Sequence, residues 1–118
     1  MSRVFIVQNQ MERDGAGDLV PRFPTIYKAE SYGKLVEILS PSAAPWGNDI
    51  VDEIKVVLAD YDGDADFLLL IGNPALIGMC VAIAAQAPAA RGRVQMLQWV
   101  GKREQRYFPI IAQGLALD

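Results

Sequence analysis

The sequence predicts an α/β fold with a mostly parallel sheet, and three observations predict it. The run Phe67–Ile71 (FLLLI) is followed at once by Gly72-Asn73-Pro74 and then by the almost wholly apolar stretch Pro74–Gln86. A buried strand, a tight break and a helix is the simplest reading of that order. From Lys34 onward, short runs rich in β-branched and aromatic residues alternate with helix-length patterns, as expected of right-handed βαβ crossovers in one sheet. The run FLLLI is apolar at every position, so both of its faces must be covered, as in parallel sheets.

Arg3–Gln8 (RVFIVQ) reads as the first strand. The cluster Asp14-Gly15-Ala16-Gly17-Asp18 is turn chemistry. It predicts a hairpin in which Leu19–Phe23 returns along the first strand, with Pro21 at an edge position because it cannot donate to a ladder. Pro24–Tyr32 reads as a loop with a short helical turn ending at Gly33. Lys34–Leu39 is the second strand, half exposed. Ser40–Gly47 holds two prolines and a glycine and is a connection, with Trp46 as a hydrophobic flap where the chain turns into the next helix.

Asn48 or Asp49 caps that helix, which extends to Tyr61. Ile50, Val51, Ile54, Val57, Leu58 and Tyr61 share one face, and Asp49, Asp52 and Glu53 complement the dipole in the first turn. Asp62–Asp66 is a polar loop into the central strand. Pro74–Gln86 is the second helix, ended by Pro88 to Gly92. Arg93–Val100, a turn at Gly101–Glu104 and Gln105–Ile111 make a closing hairpin whose Pro109 marks an edge. Gly114–Asp118 is a mobile tail.

The whole is a βαβαβ core with antiparallel edge hairpins, Rossmann-like in layout and three-layered. Two helices cover such a sheet thinly, so self-association or a protein partner is expected to finish it.

Composition bounds the rest. The 118 residues, 52% hydrophobic and 21% charged, suffice for a single domain (1–118) with its own core. The lone Cys80 cannot form an internal disulfide. A strand pattern so near the amino terminus leaves no room for a targeting segment, so a reducing cytoplasm is expected. Phe67–Ala85 is nearly long enough to span a membrane, but the break at Gly72-Asn73-Pro74 leaves too short a helix, and no membrane association is expected. The chain has no histidine, which removes the commonest general base and metal ligand. Cys80 therefore has no partner to activate it and reads as an inert core thiol, and the serines stand singly. The expectation leans away from an enzyme, and no cofactor is expected.

Two surfaces stand out. Gly72, Asn73 and Pro74 lie beyond the carboxyl end of a central strand, where open α/β sheets bind ligands, and a helix start suits a phosphate or carboxylate. The same three residues also have a mechanical use, ending the strand, capping the helix and filling its first turn. No GxGxxG and no Walker lysine follows, so both readings stay open. The second surface is basic. Residues 91–118 carry five Lys/Arg against two Asp/Glu, whereas residues 1–90 carry six against twelve. Arg91, Arg93, Lys102, Arg103 and Arg106 are interleaved with Trp99, Tyr107 and Phe108. Trp99, Lys102, Arg103, Arg106 and Tyr107 are thus candidate contacts for a partner or a nucleic acid. An edge hairpin needs charges in any case, and the acidic body opposes nucleic acid. The alternating aspartates at 60, 62, 64 and 66 fail the EF-hand pattern. Its glycine and glutamate positions hold Ala65 and Ile71 in one register and Phe67 and Asn73 in the other, so a solvated loop without metal is expected.

Taken together, RVFIVQ, YGKLVEILSP, FLLLIGNPALIG and VQMLQW…RYFPI resemble a family of small phage-encoded α/β proteins over nearly the whole chain. The strand-Gly-polar-Pro-helix break and the Trp…Tyr-x-Pro ending carry the likeness. Val100 departs from it, standing where an acidic residue is expected. The resemblance implies a viral origin and no particular activity. The leading expectation is a non-enzymatic binding or interaction module, a phage accessory or virion-associated protein in the host cytoplasm or the virion. The alternatives are a small nucleotide- or phosphate-ligand enzyme using the helix start at Asn73, and a nucleic-acid accessory factor using the basic hairpin.

Overall fold

The first strand explains the architecture. In β1 (Arg3–Gln8) successive side chains point to opposite faces, Phe5 and Val7 to one and Val4 and Ile6 to the other, and all four are buried. Only a central strand with cover on both sides satisfies that pattern. In the computed structural model, which describes residues 2–116, β1 is paired in parallel with β4 (Lys34–Leu39) on one side and β5 (Phe67–Leu69) on the other. β6 (Val94–Val100) continues parallel beyond β5, and β7 (Arg106–Ala112) closes the sheet antiparallel to β6. The order is β4-β1-β5-β6-β7, or 2-1-3-4-5 when only the strands of this sheet are counted in chain order.

The chain thus leaves β1 toward one edge, then jumps back over it and proceeds the other way. A uniform crossover hand requires connections running in opposite directions to use opposite faces. That is what is found. α1 (Ile50–Leu58) and α2 (Pro74–Gln86) pack against each other on the Phe5 and Val7 face, with Ile54, Leu58, Leu76 and Cys80 in the same cluster. The β1-to-β4 connection takes the other face. There the nine-residue 3₁₀ segment Pro24–Tyr32 sets Ile26 and Ala29 against Val4, Ile6, Leu69 and Leu97. The chain itself therefore supplies the third layer.

Several expected elements differ. Leu19–Phe23 does not return along β1, because parallel partners already hold both sides of that strand. β3 (Leu19–Pro21) pairs instead with β2 (Met11–Arg13) in a separate two-stranded sheet, its turn closed by the Asp14 carboxylate accepting from the Ala16 and Asp18 N–H groups. Only the C-terminal hairpin gives the main sheet an antiparallel edge. β5 stops at Leu69, because the Ile71 N–H turns back onto the Leu69 carbonyl at 2.9 Å. α1 stops at Leu58, and Asp49 precedes it without a side-chain cap bond. Trp46 is 83% exposed, so it does not pack on the core as a hydrophobic flap. The end of the chain is not loose through residue 116: the Leu115 N–H donates to the Gly92 carbonyl at 3.0 Å. Residues 117 and 118 of the expected tail lie outside the described residues. No helix among the described residues is long and apolar enough to cross a membrane.

Opposite the carboxyl edge, the sheet is closed by a buried carboxylate. Asp66 is fully buried, and its oxygens accept from the Arg3 N–H at 3.0 Å, the Arg3 guanidinium at 2.7 Å and the Asp62 N–H at 2.9 Å. The Asp66 carbonyl receives the Tyr61 hydroxyl at 3.1 Å and the Gln95 amide at 3.0 Å, which ties α1's exit to β6. Arg3→Met would leave the carboxylate buried without its counter-charge. It is expected to lower the unfolding free energy by about 3 kcal/mol, read by chemical denaturation, whereas Lys102→Met on the exposed turn should change it by less than about 0.5 kcal/mol. Cys80 is also fully buried, and desolvation pushes its thiol up to about 12. At pH 8 the thiol is therefore neutral, and thiol reagents should label it only after denaturant is added, as followed by mass spectrometry.

Candidate functional site

Parallel strands bring their carboxyl ends to one edge of the sheet. Where the winding direction reverses, the outgoing loops diverge and leave a crevice. Here the reversal lies between β1 and β5. Gln8, the last residue of β1 and 4% exposed, sits at that point. Its Oε1 accepts from the Asn73 N–H at 3.2 Å, and its Nε2 donates to the carbonyls of Ala43 at 2.8 Å and Ser40 at 3.2 Å. One amide thus ties the loop after β4 to the turn after β5. Gly72 must be glycine for this: its φ is +131°, and a Cβ there would lie 2.7 Å from the Gln8 Cβ.

The Gly72-Asn73-Pro74 turn fulfils its mechanical role. Asn73 Oδ1 accepts from the Ala75 N–H at 2.9 Å, and Pro74 occupies the first turn of α2. The Asn73 and Ala75 N–H groups are therefore already paired, and Pro74 has none to offer. What distinguishes Gly72 is its place between two clefts. The larger, about 660 Å³, lies between the ends of β5 and β6 and the start of the 3₁₀ segment, with Phe23, Trp99 and Tyr107 in its wall. The smaller, about 440 Å³, lies between Gln8 and the loop after β4, with Trp46 at its rim. Gln10 and Gly72 line both.

The hairpin residues do not form one surface. Cross-strand partners share a face, and successive pairs alternate. Trp99 pairs with Tyr107 and faces the 3₁₀ layer, while Val100 pairs with Arg106 on the opposite face. Trp99 and Tyr107 meet edge-on at 5.0 Å, with the Lys28 ammonium 5.4 Å from the indole centre. Tyr107 is buried, which raises its phenol pKa, and its carbonyl accepts from the Tyr32 hydroxyl at 3.0 Å. Arg106 stacks on Phe108 at 4.2 Å and pairs with Glu104 at 3.6 Å. Lys102 and Arg103 project from the hairpin tip. Arg91 and Arg93 lie at the far end of β6, where they pair with Asp64 at 2.9 and 3.6 Å.

The aspartates between α1 and β5 are likewise divided. Asp60 and Asp66 face Arg3, Asp64 faces Arg91 and Arg93, and Asp62 accepts from the Asp64 N–H at 2.8 Å. Sequence reading missed Gln8, Gln10, Arg22, Phe23 and Thr25, which belong to no motif. The position of Gln8 and Gln10 at the end of β1 was the available signal.

The family model described as Phage Pam3 gp32-like protein matches residues 2–113. The chain belongs to that family. This agrees with the resemblance to small phage α/β proteins. No match is found among curated proteins or among solved structures. The break between strand and helix in this chain needs glycine at position 72 for the geometry given above, and a matched pair of variants isolates that need. Gly72→Ala is expected to destabilise by about 2 kcal/mol through strain and contact with Gln8. Gly78→Ala, in the interior of α2 with open space around the added methyl, should instead stabilise by roughly 0.5–1 kcal/mol. Thermal unfolding of both variants checks the difference in sign.

Proposed function

We propose that this phage-family protein is a non-enzymatic binding module, an accessory or virion-associated protein of the host cytoplasm or the virion. Its ligand sits in the larger cleft at the carboxyl edge of the sheet. One observation carries this reading: the cleft borders the reversal of winding, lined by Gln10 beyond β1 and Gly72 beyond β5, at the edge where doubly wound sheets hold ligands. Its volume falls in the range of about 300–1,000 Å³ usual for small-molecule sites. Aromatic and aliphatic walls with a few polar groups, Gln10, Arg22 and Thr25, suit holding and orienting a ligand.

A melting-temperature screen of small molecules tests this. Compounds that stabilise the protein are expected to lose that effect in Phe23→Ala, a change at a 44% exposed side chain in the cleft wall. Stabilisation that persists in Phe23→Ala and in Gln10→Ala would place binding elsewhere and sink the reading.

Self-association is a second reading, supported by α2. Its thirteen residues carry no charge, and Ala75, Gly78 and Ala82 are exposed beside half-buried Ile77 and Val81. Light scattering is then expected to give a mass above the 12.9 kDa of one chain, returning to it in Ala82→Glu. A monomeric mass at every concentration ends that reading.

A further inference from the structure

We infer that the occupant of the larger cleft is a nucleoside monophosphate; this rests on the binding-module reading and supplies its ligand class. Phe23 and Trp99, with the buried Tyr107 edge-on behind the indole, give the cleft aromatic surface on which a base can stack, and the Arg22 guanidinium lies 5.8 Å from the centre of the Phe23 ring. The indole is held in place by its neighbours. Tyr107 meets it edge-on, Lys28 lies against the ring, and Gly101 keeps clear space where a Cβ would stand 2.8 Å from Nε1. Gln10, at the junction of the two clefts, carries an amide that can both donate to and accept from the edge of a base.

The charge pattern selects the other half of the ligand. Among the described residues no carboxylate lines the cleft, and Arg22, which does, makes no ion pair. In a chain of net charge −3, a cleft with an uncompensated guanidinium and no acid is complementary to an anion. Many of the acids lie elsewhere: Asp64 and Asp66 are engaged by Arg91, Arg93 and Arg3 at the opposite edge of the sheet. The geometry favours one phosphate rather than a chain of them. Among the described residues Arg22 is the one cation lining the cleft, and at the neighbouring helix start the N–H groups of Asn73 and Ala75 are bound to Gln8 and Asn73.

The test uses the full chain carrying Trp46→Phe, which leaves Trp99 as the tryptophan reporter. Titration with AMP, GMP, CMP and UMP at low salt is expected to quench Trp99 saturably for at least one of them. Affinity should fall about tenfold for the matching nucleoside and about tenfold again for the nucleotide in Arg22→Glu. An unchanged melting temperature for Arg22→Glu shows that its fold is retained. Equal affinity for nucleoside and nucleotide, or no effect of Arg22→Glu, overturns the proposal. Quenching by a single-stranded oligonucleotide where no monophosphate acts overturns it in favour of nucleic acid. If no nucleotide binds while other compounds still stabilise through Phe23, the ligand class fails and the binding-module reading stands; if both fail, the cleft reading falls as well.

Discussion

Asp66 has no surface open to solvent, and its charge is matched by Arg3 across the start of two neighbouring strands. At the other end of the same seam, Gln8 of β1 receives the Asn73 N–H beyond β5. Between these polar closures lie only apolar pairs, Val4 with Phe67, Phe5 with Leu68 and Ile6 with Leu69. A shift of register by one residue would send Leu68 and Leu69 to the wrong faces and part Asp66 from the Arg3 N–H. The seam therefore has one acceptable register, and β1 is fixed at the middle of the sheet. Much else follows from that. β4 must lie on the remaining side of β1, the winding must reverse there, and the first crossover must run over the face that α1 and α2 leave bare.

Local pattern was enough to read some elements residue for residue. β1, β4 and α2 have the expected bounds, because each is defined by its own side chains: an apolar run in the strands, and an Asn-Pro start in the helix. Pairing was less legible because it is settled elsewhere in the chain. Leu19–Phe23 looks like the return arm of a hairpin, and β3 is one, but β1 has no free side for it. The 3₁₀ segment was readable only as an irregular turn, although topology makes it a layer of the fold. Its Ile26 and Ala29 gain their role from Val4, Ile6 and Leu97, which are distant in sequence.

The candidate site shows the same division. The rule that ligands sit beyond the carboxyl ends of strands led to Gly72, Asn73 and Pro74, and the two clefts at that edge meet at Gly72. What the turn could not disclose is that its Asn73 N–H is already engaged. That depends on Gln8, a residue from another strand whose amide fits only because Gly72 lacks a side chain. The larger cleft lies beside that helix start, beyond the ends of β5 and β6. Its walls come from residues 10, 22, 23, 25, 69–72, 97–99 and 107, segments with no common motif. Their convergence is a product of the crossovers alone.

Charge undergoes a comparable rearrangement. Five cations within sixteen residues look like one basic surface in the linear sequence. A strand separates its ends by about 3.3 Å per residue, so the seven residues of β6 place Arg93 roughly 20 Å from the hairpin tip. Arg91 and Arg93 join the acidic loop at one end, Arg106 turns to the α-helical face, and Lys102 and Arg103 stand at the tip. The cation that meets the cleft is Arg22, from the acidic portion of the sequence. Net charge by segment therefore does not tell which charges lie together in the fold. Strand direction and pleat decide which charges share a surface, and at the carboxyl edge they leave a guanidinium beside an aromatic wall.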